Sequence, residues 1–166
     1  SQCNKIELHL NKFSTKNVIV KTLNAMESLI KEKNIDLSYT LVDIELFADE
    51  KRFRQLIFNL TSNAIKFNKT NGKIMIFTYL KDNDFVFEIS DTGDGISKKD
   101  CEKVFRFFSQ VNKSQLKRQK GSGIGLALCK MIIEAHKGKI NFDKKIKKGS
   151  TFYFTIPLNL KERDLT

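Results

Sequence analysis

Two asparagines four residues apart, Asn59 and Asn63, have types and spacing that could hold a metal ion. They fall in a segment whose apolar residues recur at helical spacing, so both amides should lie on one face of a helix, one turn apart. Amide oxygens suit a hard cation such as Mg²⁺, which usually shares its oxygen ligands with phosphates. Two polar residues at the flank of a helix also occur without any ligand, so the pair alone leaves both interpretations open.

A second pattern, Asp-Thr-Gly-Asp-Gly-Ile, begins at Asp91 and follows a run that alternates like a strand. That alternation places Asp91 on the same face as Phe85 and Phe87, which is the core side. A carboxylate that faces an apolar interior needs a hydrogen-bond donor, and the exocyclic amino group of adenine would be one. Gly93 and Gly95 would let the backbone approach such a ligand closely. The alternative is an ordinary Asp-Gly turn.

A third pattern, Gly-Ser-Gly-Ile-Gly-Leu over residues 121–126, opens a predicted helix. Backbone N–H groups at a helix N-terminus bind phosphate. The pattern is not the dinucleotide-binding fingerprint, because Leu126 stands where that fingerprint needs glycine. It is not a P-loop either, because no Gly-Lys-Ser/Thr follows. The basic run just upstream, Lys113–Lys120, would add positive charge over a phosphate or would simply be a solvated loop.

The elements that must position these residues can be predicted from hydrophobic periodicity. The predicted helices cover residues 17–33, 49–68 and 122–136, with a short helix from Ser97 to about Phe105 and a flexible loop, expected to act as a lid, over 109–121. The predicted strands lie within 36–47 and at 73–80, 84–90, 139–143 and 150–156. This order favours an α/β (α+β) two-layer sandwich with a mixed, mostly antiparallel sheet and helices on one face.

Composition excludes several classes of protein. The net charge of +11 makes nucleic acid the first partner to consider. However, the 14 phenylalanines mostly follow strand or helix spacing, which indicates core packing rather than base stacking, so we expect no nucleic acid partner. Three cysteines without a Cys-x-x-Cys pair argue against a disulfide framework or a zinc site. No apolar run approaches the ~18 residues of a membrane helix, and we expect a cytoplasmic chain whether or not its parent protein is anchored in the cell membrane.

The three motifs in this order resemble the N, G1 and G2 boxes of sensor histidine kinases. The fold that this resemblance implies is the Bergerat ATP-binding fold of the GHKL superfamily. Residues 54–67 look like the full N box, residues 104–110 look like the F box, and residues 149–152 look like the final turn-and-strand signature. The resemblance runs from about Phe13 to Leu158, which is nearly the whole chain.

The resemblance also implies roles for individual residues. Asn63 would be the main Mg²⁺ ligand, Asn59 would contribute to the same site, and Lys66 would act near the phosphates. Asp91 would accept from the adenine amino group, and Ser150 and Thr151 would close the adenine pocket. The full set expected to bind ATP comprises Asn59, Asn63, Lys66, Phe67, Asp91, Gly93, Gly95, Ile96, Phe105, Phe108, Lys117, Arg118, Gly121, Ser122, Gly123, Ile124, Gly125, Leu126 and Thr151.

The chain departs from the family pattern at several positions. Arg106 stands where Glu is usual, Phe107 where Pro or Arg is common, and Lys120 and Lys147 where Gly is frequent. Gln110 stands where some members carry a phosphate-contacting Arg, and Lys117 or Arg118 would have to substitute for it.

The phosphoacceptor histidine of the family is usually followed by Glu or Asp on a helical hairpin upstream. Here His9 is followed by Leu10 and His136 by Lys137, so neither matches. We therefore expect residues 1–15 to lead in from an absent dimerisation and phosphoacceptor hairpin, residues 16–160 to form the catalytic ATP-binding domain, and residues 161–166 to be a tail.

The implied activity is that of a protein-histidine kinase (EC 2.7.13.3) using ATP and Mg²⁺. The expected partners are the phosphoacceptor domain of the same protein and the receiver domain of a response regulator. The parent protein would be a homodimer and this domain a monomer. Three alternatives remain open: a GHKL ATPase or serine kinase, a nucleotide-binding pseudokinase, and a basic nucleic-acid binder. Asn59 counts against the ATPase, because related ATPases such as DNA gyrase carry there a Glu that activates water.

Overall fold

The computed structural model describes residues 6–93, 99, 124–144 and 149–165. In chain order the elements are β1 (Asn11–Ser14), α1 (Thr15–Ala25), α2 (Glu27–Glu32), β2 (Asp36–Thr40), β3 (Glu45–Ala48), α3 (Glu50–Lys66), β4 (Lys73–Lys81), β5 (Asp84–Asp91), α4 (Ile124–Ala135), β6 (Lys139–Lys144), β7 (Ser150–Pro157) and a 3₁₀ helix (Glu162–Leu165). None of the helices in this part of the chain has the length and apolar character needed to cross a membrane.

Five strands form the main sheet in the order β2-β4-β5-β7-β6. The pair β2 and β4 is parallel, and the other three pairs are antiparallel. Alternate residues of β5 and β7 are buried beneath the helices, as period-two patterning requires. The predicted two-layer sandwich with a mixed, mostly antiparallel sheet is confirmed. The strands predicted at 73–80, 84–90, 139–143 and 150–156 are correct to within one residue at each end.

Phenylalanines form the centre of the core between sheet and helices. Phe53 of α3 is fully buried, and its ring centroid lies 5.2 Å from that of Phe13, 5.8 Å from that of Phe85 and 6.3 Å from that of Phe154. Phe87 stacks on Phe154 at 5.0 Å between centroids. Such ring pairs stabilise by about 0.5–1.5 kcal/mol beyond the area that they bury. The predicted core role of the phenylalanines is correct for these residues.

Helix α3 is the central helix of the layer, contacting α1 on one side and α4 on the other. It is capped as predicted by Asp49, whose Oδ1 accepts a hydrogen bond from the Arg52 N–H at 3.0 Å. It ends at Lys66, where an unpredicted cap is formed by Lys33. The Lys33 ammonium donates to the carbonyls of Ile65, Lys66 and Asn68 at 3.0, 2.8 and 3.0 Å.

The helix predicted over residues 17–33 is wrong in one respect, because the segment forms two helices. The helix is interrupted at Met26, whose N–H donates to the carbonyl of Leu23, three residues earlier, at 3.0 Å. The Met26 side chain is 1% exposed, whereas α2 contains no buried residue. The tightened turn thus buries Met26 while α2 runs along the surface.

The segment 36–47 forms two strands that belong to different sheets. Strand β2 is an edge of the main sheet, while β3 pairs antiparallel with β1, with Phe13 opposite Leu46. Both of these residues are buried. This two-stranded sheet leads directly into Asp49 and so fixes the start of α3.

Candidate functional site

The asparagine pair lies where α3 meets the start of α4. Both side chains are half-buried. A Cβ built on Gly125, in the first turn of α4, would lie 3.7 Å from the Cβ and Cγ of Asn59 and 3.9 Å from Nδ2 of Asn63. The structure therefore brings the first and third motifs into contact, although more than sixty residues of sequence separate them.

Asn59 also touches Cys129 on α4. Burial raises the pKa of the Cys129 thiol to about 12, and a hydrogen bond from the Asn59 side chain offsets this only in part. The thiol is therefore neutral at physiological pH, and we assign it a packing role beside the amide pair.

The second motif meets the end of the same helix. Gly93 is buried against the backbone that follows α3, and a Cβ built on it would lie 2.4 Å from the carbonyl oxygen of Phe67 and 2.6 Å from Cα of Asn68. No other residue type fits there without moving backbone. Gly93 also donates its N–H to Oδ1 of Asp91 at 3.0 Å, which holds the carboxylate at the end of β5.

Asp91 is half-buried, as its place at the end of the strand's core face predicted. Burial raises the pKa of this carboxyl, and hydrogen bonds from the backbone N–H groups of Gly93 and Ser150 lower it in part. The carboxylate therefore accepts from two backbone donors and retains lone pairs for a further donor.

The turn that leads into β7 packs against Asp91. Gly149 has φ +78°, and a Cβ there would overlap the carbonyl oxygen of Asp91, so glycine is required on both counts. Ser150 then pairs with Asp91 in register. Its side chain is buried, and its Oγ has no hydrogen-bond partner among the described residues. Thr151 Oγ1, by contrast, lies 2.9 Å from Oγ of Ser90 on the neighbouring strand.

A polar network that sequence reasoning missed ties these parts together. The buried Asn68 donates from Nδ2 to the carbonyl of Lys73 at 3.0 Å, and Oδ1 accepts from the N–H of Lys69 at 2.9 Å. Thr92 accepts the N–H of Lys73 at 2.9 Å. The signal in the sequence was an Asn two residues after the end of a helix and a Thr directly after a strand, both common at turns.

The remaining described residues of the predicted ATP-binding set occupy varied environments. Lys66 is exposed, and its Nζ lies 5.4 Å from the ring centroid of Phe67, which is itself half-buried. Leu126 is fully buried and belongs to the hydrophobic core. Ile124 begins the described part of α4. The predictions for Gly95, Ile96, Phe105, Phe108, Lys117, Arg118, Gly121, Ser122 and Gly123 lie outside the described residues. So do the helix from Ser97, except for residue 99, and the loop over 109–121.

His136 is fully buried and links α4 to α3. Its Nε2 accepts the N–H of Asp49 at 3.1 Å, so Nδ1 carries the proton and donates to the carbonyl of Ile132 at 2.7 Å. Burial lowers the pKa of this imidazole, with partial compensation from that carbonyl and the Asp49 carboxylate. Oδ2 of Asp49 in turn accepts the backbone N–H of His9 at 2.8 Å. Both ring nitrogens of His136 are engaged, which fits a structural role.

Three sequence motifs thus converge on α3, with an amide pair at its middle and a half-buried carboxylate beside its C-terminal end. Among the described residues, no cluster of three or more His, Cys, Asp or Glu side chains could hold a metal ion.

Comparison with known proteins agrees with this geometry. The family described as histidine kinase-, DNA gyrase B- and HSP90-like ATPases matches residues 48–160. The circadian input-output histidine kinase CikA of Synechococcus elongatus is 33% identical over 160 residues, covering 94% of this chain and 21% of that protein. The sensor histidine kinase WalK of Bacillus subtilis is 34% identical over 140 residues, covering 82% of this chain and 23% of that protein. The chain spans about a fifth of the length of these relatives.

Solved structures show the same likeness in three dimensions. The nucleotide-free catalytic domain of the histidine kinase ThkA superposes with a TM-score of 0.75 at 27% identity, covering 91% of this chain and 97% of that one. ThkA in complex with the response regulator TrrA gives 0.73 at 27% identity, covering 90% and 42%. With motifs, fold and relatives in agreement, the chain belongs to the family of histidine kinase-, DNA gyrase B- and HSP90-like ATPases, as a catalytic ATP-binding domain of the sensor histidine kinase type.

Proposed function

We propose that this domain binds ATP with Mg²⁺ beside α3 and transfers the γ-phosphoryl group to a histidine on a separate helical hairpin of its parent protein. The phosphoryl group then passes to an aspartate of a response regulator. The observation that supports this most directly is the convergence on α3 of Asn59, Asn63, Gly93 and Gly125. Phosphoryl transfer requires positioning and charge neutralisation more than covalent chemistry from the protein, and this convergence supplies positions for both.

The amide oxygens of Asn63 and Asn59 would hold Mg²⁺, which when bound neutralises charge on the phosphates. The contact of Gly125 with both asparagines places the first turn of α4 beside the amides. Backbone N–H groups at a helix N-terminus bind phosphate oxygens. Lys66, one turn from Asn63 on the exposed side of α3, would add a positive charge near the phosphates.

The carboxylate of Asp91 would select adenine by accepting from its amino group. The Oγ of Ser150 is buried opposite Asp91 and has no hydrogen-bond partner within the described ranges, which supports a ligand with hydrogen-bonding groups at this position, because a buried hydroxyl normally finds a partner. Phe67, at the end of α3, and Gly93, packed against it, would line the base.

The chemistry of Asn59 favours transfer to a docked histidine over attack by water. An amide cannot take a proton from water, so this chain lacks the general base that a Glu at this position would provide. We expect neither histidine of the chain to be the acceptor, because neither is followed by the Glu or Asp of the acceptor pattern. The His136 ring is in addition buried with both nitrogens hydrogen-bonded. ThkA has been solved in complex with a response regulator, and we propose the same class of partner for this domain.

The test of the nucleotide site is titration calorimetry of Asp91→Ala with ATP and GTP in the presence of Mg²⁺. Leaving a buried donor or acceptor unpaired costs about 1–3 kcal/mol, or roughly ten- to a hundredfold in affinity. We expect the variant to lose its preference for ATP over GTP. Asp84→Ala removes a carboxylate from the opposite end of β5 and is the matched control. Normal ATP binding by Asp91→Ala would show that the adenine site lies elsewhere.

A further inference from the structure

A groove between α1 and α3 lies apart from the proposed nucleotide site. It encloses about 360 Å³ and is lined by Thr22 and Ala25 of α1 and by Gln55 and Phe58 of α3. This volume falls in the range of pockets that take a ligand or an anchoring side chain. Gln55 and Phe58 fall within the segment 54–67 that resembles the N box, but none of these four lining residues is among those expected to bind ATP.

The groove lies on a different face of α3 from the asparagine pair. At 3.6 residues per turn, the lining positions on α3 centre roughly 110° around the helix from Asn59 and Asn63. Phe58 directly precedes Asn59 in sequence, so a molecule bound in the groove would contact the same turn of α3 that carries Asn59. The two sites are therefore neighbours with separate linings.

An exposed aromatic residue marks the floor of the groove. The Phe58 side chain is 45% exposed, although it is flanked on α3 by the fully buried Ile57. Aromatic residues, phenylalanine included, are enriched at protein interfaces relative to the rest of the surface. An exposed Phe58 on the floor of a groove therefore suits contact with an apolar side chain of a partner.

The rim of the groove is cationic. Lys21, Lys51 and Arg54 surround the apolar floor, and the described residues that line the groove include no carboxylate. The Glu50 carboxylate lies 3.7 Å from the Arg54 guanidinium. Because both side chains are exposed to water, this ion pair is weak and neutralises little of the positive charge. Oε1 of Gln55 already accepts from Nη1 of Arg52 at 2.9 Å, so the group that Gln55 has left to offer is an N–H donor.

We propose that this groove docks an acidic amphipathic segment of a partner protein, with an apolar side chain seated on Phe58 and carboxylates facing Lys21, Lys51 and Arg54. An apolar floor inside a ring of donors and cations is complementary to an apolar anchor flanked by acids. Helix-in-groove recognition has this form. The rim charges would steer and orient the partner, while burial on Phe58 would supply affinity.

The test begins with selection of random 16-residue peptides displayed on phage against the full chain, with Phe58→Ala as the counter-selection target. Enriched peptides should carry one or two large apolar residues flanked by Asp or Glu. Their affinities, measured by fluorescence anisotropy, should fall at least about tenfold in Phe58→Ala, as for an interface anchor. They should fall comparably in the double variant Lys21→Glu/Lys51→Glu, with a weaker dependence on salt.

Matched controls use side chains of the same type elsewhere. Phe77→Ala removes an aromatic residue that is 41% exposed on the outer face of the sheet. Lys81→Glu/Lys161→Glu changes the net charge equally at two exposed positions. Both controls should leave peptide affinity unchanged. Amide chemical shifts of the wild-type chain should move at the groove residues of α1 and α3 on adding an enriched peptide.

Several results would overturn the proposal. These are an absence of enriched peptides, enrichment of basic or purely apolar sequences, undiminished binding by Phe58→Ala, and shifts that map away from the groove. Sedimentation with phosphatidylserine-containing vesicles, lost in Phe58→Ala, would assign the groove to a membrane surface instead. All of the substituted residues are exposed, and circular dichroism would verify that each variant is folded.

Discussion

Replacing Lys33 with methionine removes the cap of the helix that carries the asparagine pair. Three ammonium protons donate to the carbonyls of Ile65, Lys66 and Asn68. A partly buried acceptor left unpaired costs about 1–3 kcal/mol, and the lost charge at the helix C-terminus adds up to about 1 kcal/mol. Because water can reach the Lys66 carbonyl, we expect Lys33→Met to lower the free energy of unfolding by about 2–3 kcal/mol.

Urea denaturation followed by circular dichroism measures this difference, with the m-value expected to stay unchanged. Lys31→Met is the matched control, because Lys31 forms only an exposed pair with Glu27 at 2.8 Å on the surface of α2. We expect the control to stay close to wild type. Equal losses of stability in the two variants would refute the assignment of Lys33 as the cap of α3.

Three further predictions follow from the site. Gly93→Ala should destabilise the fold by about 1–3 kcal/mol and weaken ATP binding, because its methyl group would overlap the backbone of Phe67; thermal unfolding and calorimetry measure both. Gly125→Ala meets only ordinary contacts among the nearest atoms and favours the helix, so it should leave stability intact. Its methyl group would occupy space beside the two amides, where we propose that Mg²⁺ and phosphate bind, so calorimetry should show weaker Mg²⁺-dependent ATP binding. The pKa of His136 is lowered from 6.5 in the folded chain, so the unfolded chain binds more protons and stability should fall as pH drops below about 6.5. His136→Gln should flatten this pH dependence of unfolding, and an unchanged slope would contradict the buried neutral imidazole.

The parts of the fold that were predictable from the sequence depend on local periodicity and on motifs. The apolar stripe and the Asp49 cap located α3 to within two residues, and alternation located β4, β5 and β7. The same alternation placed Asp91 at the end of the core face, where the structure has it half-buried.

Contacts between distant segments could not be predicted in this way. The cap from Lys33 joins residues 33 and 65–68, and the link from His136 to Asp49 spans 87 positions. Neither contact produces a periodic pattern in the sequence, because the residue type of a single lysine or histidine does not indicate which distant segment it will contact. The break at Met26 was missed because its apolar spacing continues through it, while the geometry of the turn is set by burial of that side chain.

We propose that this domain holds ATP for transfer to a histidine on another segment of its parent protein. The most direct test incubates the chain with radiolabelled ATP and Mg²⁺, alone and with the phosphoacceptor hairpin of the parent protein. We expect no label on the isolated chain, slow ATP turnover, and acid-labile, base-stable label on the histidine of the added hairpin. Label on His9 or His136 of the isolated chain, or fast ATP hydrolysis that depends on Asn59, would contradict it.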